Sequence, residues 1–228
     1  MRIDILTLFP KMFDGPLTES ILKRAKERRL VKIQVVDIRR FSTERHRKAD
    51  DRPFGGGPGM VLTAEPIYRA LSFLKRKGPK PYVVLLSAGG KRFRQEQARR
   101  LSKKKRLVLI CGHYEGVDER IKRWVDEEFS IGEYVLTCGE IPAMVMVDSV
   151  VRLLPGVLGD ERSSGSESFE AGLLEYPQYT RPRLFKGLKV PAILLSGDHK
   201  RITEWRTKKA VERTLKNRPE LLKGNHHE

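Results

Sequence analysis

Short apolar runs alternate with segments of helical period through the first two thirds of the chain, and this rhythm constrains the fold more than any other feature. Residues 3–9, 31–36, 82–87 and 106–111 read as strands, and residues 18–29, 65–77, 94–103 and 139–154 read as helices. Strands that are apolar along their whole length and separated by helices belong in a parallel sheet with helices laid over it, so the class is α/β. The opening segment MRIDILTLFP sets an acid inside its apolar run and offers no cleavage site. No later run approaches the roughly 20 apolar residues that a membrane span needs. Secretion and membrane insertion are not expected, and a cytoplasmic location is.

The rhythm stops near residue 156. The following stretch to residue 170 is rich in Gly, Ser and acids and has no apolar period, which predicts a flexible linker. Beyond it, residues 172–228 carry one amphipathic helix, about 201–217, in which Ile202 and Trp205 alternate with Lys209 and Arg213. The chain of 228 residues is long enough for one large domain and a small basic one. Cys111 and Cys138 sit far apart in apolar stretches, outside any metal-ligand or redox spacing, so neither a disulfide framework nor a metal site is expected.

Charge narrows the partners. Lys and Arg number 46 against 29 Asp and Glu, a net charge of +17. That imbalance is the footprint of a protein that binds the phosphate backbone of a nucleic acid. Only two Asn and four Gln occur, a composition that also suits adaptation to heat, but heat adaptation does not explain the one-sided sign.

Three loops concentrate the chemistry. In the first, Arg45-His46-Arg47-Lys48-Ala49-Asp50-Asp51-Arg52 leads into Pro53-Phe54-Gly55-Gly56-Gly57-Pro58-Gly59-Met60, so basic side chains precede a stretch whose backbone can approach a ligand closely. No Gly-Lys-Ser/Thr follows, which excludes a P-loop, and GxGxxG is incomplete. A plain surface loop fits the same residues. The second and third loops, 111–120 and 131–140, leave apolar strands, the position where α/β sheets hold nucleotides. His113 lies in the second loop; a lone loop histidine is more often a hydrogen-bonding or surface residue, and it is given no catalytic role. Tyr114 and Tyr134 suit half-buried packing as well as ligand contact.

In this order, these loops resemble the bacterial tRNA (guanine-N1)-methyltransferases of the SPOUT superfamily. The likeness spans nearly the whole chain, from Leu8-Phe9-Pro10 through 50–60, 112–120, 131–136 and Asp148-Ser149-Val150-Val151-Arg152 to Tyr179-Thr180-Arg181-Pro182 and Leu195-Ser196-Gly197-Asp198-His199. It implies a SPOUT-type parallel sheet with a deep trefoil knot in residues 1–158, a flexible linker 159–171 and a small, mostly helical tRNA-binding domain 172–228. The knot follows from the resemblance alone, since general topology rules treat knots as essentially absent. The resemblance further implies a homodimer with composite active sites. S-adenosylmethionine would be held by Leu86, Ser87, Gly112, Tyr114, Glu115, Ile131, Gly132, Glu133, Tyr134, Val135, Leu136, Gly139, Pro142 and Glu175. Arg47, Asp50, Arg52, Gly59, Arg181 and His199 would hold the tRNA, and magnesium is allowed as an assisting ion with no protein metal site assigned.

The expected reaction is methylation of N1 of guanine 37, beside the anticodon, giving 1-methylguanosine. Guanine N1 carries a proton at neutral pH, so a base must expose its lone pair, and a carboxylate suits the task. Negative charge then spreads to O6, where a guanidinium stabilises it without titrating. By resemblance the arginine is Arg152 and the base is Glu167, where the family usually has an aspartate; Asp160, Glu161 and Glu170 are alternatives. Ala88-Gly89, Cys138 and Gln178 also depart from the usual Pro-Gln, Gly and His of the family. Two rivals stay open at this point: a SPOUT enzyme that methylates a ribose 2′-hydroxyl, and a non-catalytic RNA-binding factor, which would leave the glycine loops unexplained.

Overall fold

In the computed structural model, residues 1–158, 168–169 and 172–223 are described. They fall into two compact units, Met1–Gly159 and Asp160–Glu228.

The first unit is built on five parallel strands: β1 (Arg2–Thr7), β2 (Lys32–Asp37), β5 (Tyr82–Arg92), β6 (Arg106–Cys111) and β7 (Glu127–Ser130), in the order β2-β1-β6-β5-β7. β6 is buried at every residue and β1 at all but its first, the double-sided burial expected of largely apolar runs in a parallel sheet. Asp4, the acid inside the first run, is fully buried. It is neutralised by Arg106 at 2.8 Å and Arg2 at 2.8 Å, so the charge is paired rather than stranded. Pairing Ile3 with Leu107 and Ile5 with Leu109 aligns the apolar faces of the two central strands.

Helices cover both faces. On one lie α1 (Ser20–Glu27), α3 (Gln95–Ser102) and α4 (Glu140–Val151), whose Leu22, Leu101, Met146 and Val147 pack with Ile3, Ile5, Val84 and Leu109. On the other, α2 (Ala64–Lys75) inserts Ile67, Ala70, Leu71 and Leu74 against Leu6, Val83, Val108 and Ile110, the spacing of one helix face. Two short paired strands, β3 (Asp50–Asp51) and β4 (Val61–Leu62), close the long polar loop at its ends; nothing in its apolar pattern signals them.

β5 departs from expectation. The periodicity ends it at Ser87, whereas the strand continues through Ala88-Gly89-Gly90 to Arg92, with its register against β7 shifting between Leu86 and Lys91. Gly90 permits the continuation, because a Cβ there would lie 2.5 Å from the Phe129 backbone nitrogen.

The second unit contains the hairpin strands β8 (Leu184–Phe185) and β9 (Leu188–Lys189) and the long helix α5 (His199–Asn217). Asp198 caps α5 by accepting the Arg201 N–H at 3.1 Å. Only Ala210 and Thr214 of this helix are buried, and the Thr214 hydroxyl both accepts the Leu174 N–H and donates to Ala210 O. Of the segment expected to link the units, residues 159–167 and 170–171 lie outside the described residues. Phe169 and Ser168 bond to Leu173 and Glu175 within the second unit. Among the described residues no helix is long and apolar enough to cross a membrane.

Candidate functional site

The carboxyl ends of β5, β6 and β7 open into a cavity of about 420 Å³, a size suited to a nucleotide-like ligand. Its walls come from the two loops that leave β6 and β7 and from the first turn of α4. The structure gathers there Leu86, Ser87, Gly112, Tyr114, Glu115, Ile131, Gly132, Tyr134, Val135, Leu136, Gly139 and Pro142.

Close backbone approach shapes this cradle. Gly139 donates its N–H to Gly112 O at 2.7 Å. A Cβ on Gly139 would fall 2.6 Å from the Gly112 nitrogen and 2.8 Å from the Cys111 Cα, so the two loops meet with no room for a side chain between them. His113 and Cys138 pair alongside as an antiparallel bridge. Tyr134 lays its ring against Gly132, where a Cβ would be 2.2 Å from the ring. Ser130 donates to Gly132 O at 2.8 Å and holds the start of that loop.

The cavity's charge is acidic. Glu115, Glu119 and Glu128 line it with one ammonium, Lys122, which bridges Glu119 at 3.0 Å and Glu128 at 3.2 Å. Those two hydrogen bonds raise the Lys122 pKa and keep it charged. More carboxylates than cations favour a ligand that itself carries positive charge. Beneath the floor, burial pushes the Cys111 thiol well above its usual range, with Glu140 adding to the effect, so Cys111 is an inert packing group.

Glu140, Thr7 and Phe9 stand beside the cavity, and nothing in the sequence gives them a role there. Glu140 is fully buried, and its Oε1 accepts the Thr7 hydroxyl while Oε2 has no partner among the described residues. Thr7 in turn accepts the Phe9 N–H at 2.8 Å. The Phe9 ring packs on His113 with centroids 4.8 Å apart, and His113 meets Tyr114 edge-on at 4.3 Å. Thus α4, the end of β1 and the Tyr114 loop are tied by one chain of contacts. An acid after a glycine reads as an exposed first-turn residue, and only the threonine at the end of a buried strand hints at a partner.

The end of the polar loop runs along the cavity loop: Leu62 donates its N–H to Gly116 O at 3.0 Å and accepts the Asp118 N–H at 2.9 Å. Glu115 N donates to Met60 O at 3.0 Å, and a Cβ on Gly59 would lie 2.5 Å from Glu115 Oε1. Asp50 is anchored in β3, whereas Arg47 and Arg52 are exposed on the loop. Within the first unit, Glu133 and Arg152 are not brought to the cavity. Glu133 faces outward near Arg92 at 3.6 Å. Glu175, Arg181 and His199 belong to the second unit, where Glu175 accepts from Gln178 at 2.5 Å and the other two are exposed. Arg152 caps the far end of α4 and donates its N–H to Asp148 O at 3.1 Å. Glu167 lies outside the described residues, with Asp160, Glu161 and Glu170. Among the described residues no group of three or more His, Cys, Asp or Glu is placed to hold a metal ion.

Comparison with known proteins agrees with this geometry. Residues 1–224 match the family model described as tRNA (Guanine-1)-methyltransferase TrmD. The chain is 57% identical over 222 residues to a tRNA (guanine-N(1)-)-methyltransferase of Dictyoglomus turgidum, covering 97% of this chain and 90% of that protein. It is 55% identical over 224 residues to the one of Carboxydothermus hydrogenoformans, covering 98% and 88%. The crystal structure of tRNA (m1G37) methyltransferase from Aquifex aeolicus superposes with a TM-score of 0.81 at 40% identity, covering 99% of this chain and 96% of that one.

Proposed function

We infer the chemistry of this chain from the premise that it belongs to the tRNA (guanine-1)-methyltransferase family and transfers a methyl group to N1 of a guanine in tRNA. The target is guanine 37, beside the anticodon. The observation that carries the reading is the joining of a whole-length family match to an acidic, glycine-tight cavity at the carboxyl ends of the strands.

The cavity suits S-adenosylmethionine. Leu86, Leu136 and Pro142 offer an apolar slot for a flat ring, the close backbone approach of Gly112 and Gly139 keeps side chains out of it, and Glu115 and its neighbours favour a cationic ligand. When bound there, this group supplies an electrophilic methyl on a positively charged sulfur. The chain's residues do the rest. Glu167 removes the proton from guanine N1, exposing the lone pair that forms the new N–C bond. Arg152 stabilises the negative charge that develops on O6. Arg47, Asp50, Arg52 and Gly59, with Arg181 and His199, grip the RNA and hold the guanine out of the anticodon-loop stack, which costs a few kcal/mol.

The active site is shared between two copies of the chain. α4 spans Glu140–Val151, so Arg152 sits roughly 18 Å along the helix axis from the cavity end, at 1.5 Å per residue. That exceeds the reach of its side chain, and a second copy can bring an arginine to each cavity. Ile141 and Val145, one turn apart on α4 and 42% and 40% exposed, support the same reading. The knot is supported by the chain path, since the segment after β7 returns through Gly139 against the β6 loop before α4 packs on β1 and β6. Residues 1–158 form the cofactor domain, 159–171 a linker, and 172–228 a tRNA-binding domain. A tRNA substrate places the enzyme in the cytoplasm.

The test is product analysis with methyl-labelled S-adenosylmethionine and tRNA bearing guanine at position 37. The expected product is 1-methylguanosine, absent when that guanine is replaced. A 2′-O-methylated nucleoside, or tight RNA binding with no product, would overturn the reading. Glu167→Gln should bind cofactor normally and lose turnover by at least about 100-fold, the scale of general base catalysis; unchanged turnover reassigns the base.

A further inference from the structure

The tip of the polar loop carries the most exposed large apolar side chain in the described residues. Phe54 is 101% exposed, although apolar side chains of its size are ordinarily at least half covered. Nothing in its own loop shelters it. Gly55, Gly56 and Gly57 follow with φ of 87°, 79° and 116° and no atoms within 4 Å of where a Cβ would stand, so the segment arches away from the body. Both ends of the arch are nevertheless fixed. Asp50 pairs with Leu62, Thr63 donates to Ala49 O at 2.9 Å, and Met60 accepts from Glu115 at 3.0 Å. An aromatic ring is thus held out on a clamped loop.

Two features say what covers it. The flanking side chains Arg45, Arg47, Lys48 and Arg52 are exposed cations, opposed in 45–59 only by Asp50 and Asp51, of which Asp51 accepts the Arg52 N–H at 2.8 Å. That surface attracts a polyanion. The loop also abuts the cavity, because Gly59 touches Glu115 more closely than a Cβ would allow and Glu115 lines the cavity. Gly59 is five positions after Phe54, which keeps the Phe54 Cα within about 17 Å of the rim at full extension, a span of a few nucleotides. A ring with cations beside it is the arrangement that stacks on an unpaired base while phosphates are neutralised.

We propose that Phe54 stacks on the base next to the target guanine and so holds open the gap from which the guanine has swung into the cavity. The proposal rests on the methylation reading above and deepens it: Phe54 is a positioning residue for RNA and touches neither the reacting atoms nor the cofactor. Because the ring buries nothing in the folded chain, its removal should leave folding intact, which makes the test clean.

The experiment uses the full chain as Phe54→Ala, Phe54→Leu and Phe54→Trp, with tRNA carrying guanine 37 and with two further RNAs in which the nucleotide on either side of that guanine lacks its base. Phe54→Ala should raise KM for tRNA roughly ten-fold, the scale of losing one stacked base. Its kcat at saturating RNA, its melting temperature, its oligomeric state and its S-adenosylmethionine affinity without RNA should stay at wild-type values. Phe54→Trp should restore KM; Phe54→Leu, apolar but without a π face, should not. On one of the two abasic RNAs the Phe54→Ala penalty should vanish. A wild-type KM in Phe54→Ala, full function in Phe54→Leu, an equal penalty on every RNA, or a changed oligomeric state would each overturn the proposal; the last would make the ring a contact between copies. Failure of the wild type to form any 1-methylguanosine would instead overturn the reading on which it rests.

Discussion

The two glycine-rich regions that meet at Glu115 use the same residue for opposite ends. In the cavity loops, glycine is present because neighbouring backbone occupies the place of a side chain: Gly139 stands against Gly112 and Cys111 with less than 3 Å to spare for a Cβ. In the polar loop, Gly55 to Gly57 face open space and are there for their positive φ. One region is a fixed mould, the other an arch. A site that must hold a small ligand and admit a large RNA needs both, and chain composition alone does not tell them apart.

That contrast can be broken by single methyl groups. Gly139→Ala should have the largest effect, because backbone on both sides must shift; overpacking of this kind costs about 1–3 kcal/mol. Titration calorimetry should show S-adenosylmethionine affinity reduced at least about ten-fold. Gly59→Ala should be intermediate. Its φ of 83° disfavours a side chain, but the crowding atoms belong to the flexible Glu115 side chain, which can move. KM for tRNA should rise several-fold, with a smaller change in cofactor affinity. Gly56→Ala should be mildest, with a strain of about 1–2 kcal/mol confined to the loop, visible as a slight rise in KM for tRNA and none in cofactor binding. A Gly56→Ala variant that lost cofactor as Gly139→Ala does would erase the distinction.

Much of the sheet was legible because β6 is apolar after Arg106 and β1 apolar around Asp4, a pattern that suits a doubly covered strand. The continuation of β5 past Ser87 was not, since Ala88-Gly89-Gly90 reads as a turn and only the closeness of Phe129 explains it. Residue patterns pointed to strand-end loops as the ligand site, while the individual cavity residues came from family resemblance. Neither source signalled that Glu140 is sealed under the cavity against Thr7, because an acid in a first helical turn ordinarily faces water. Nor did either show that Phe54 stands wholly uncovered, a property of the arch rather than of the residue. Arg152 was legible as a residue but not as a place: only the length of α4 shows it remote from the cavity of its own chain.

The most direct test of the fixed cradle and the free arch is amide hydrogen exchange on the full chain, with and without saturating S-adenosylmethionine. Added protection should concentrate at 112–116 and 131–139 and leave 53–57 exchanging as before, until tRNA is added and that segment slows in turn. Protection by the cofactor at 53–57 with none at 112–116 or 131–139 would contradict the account.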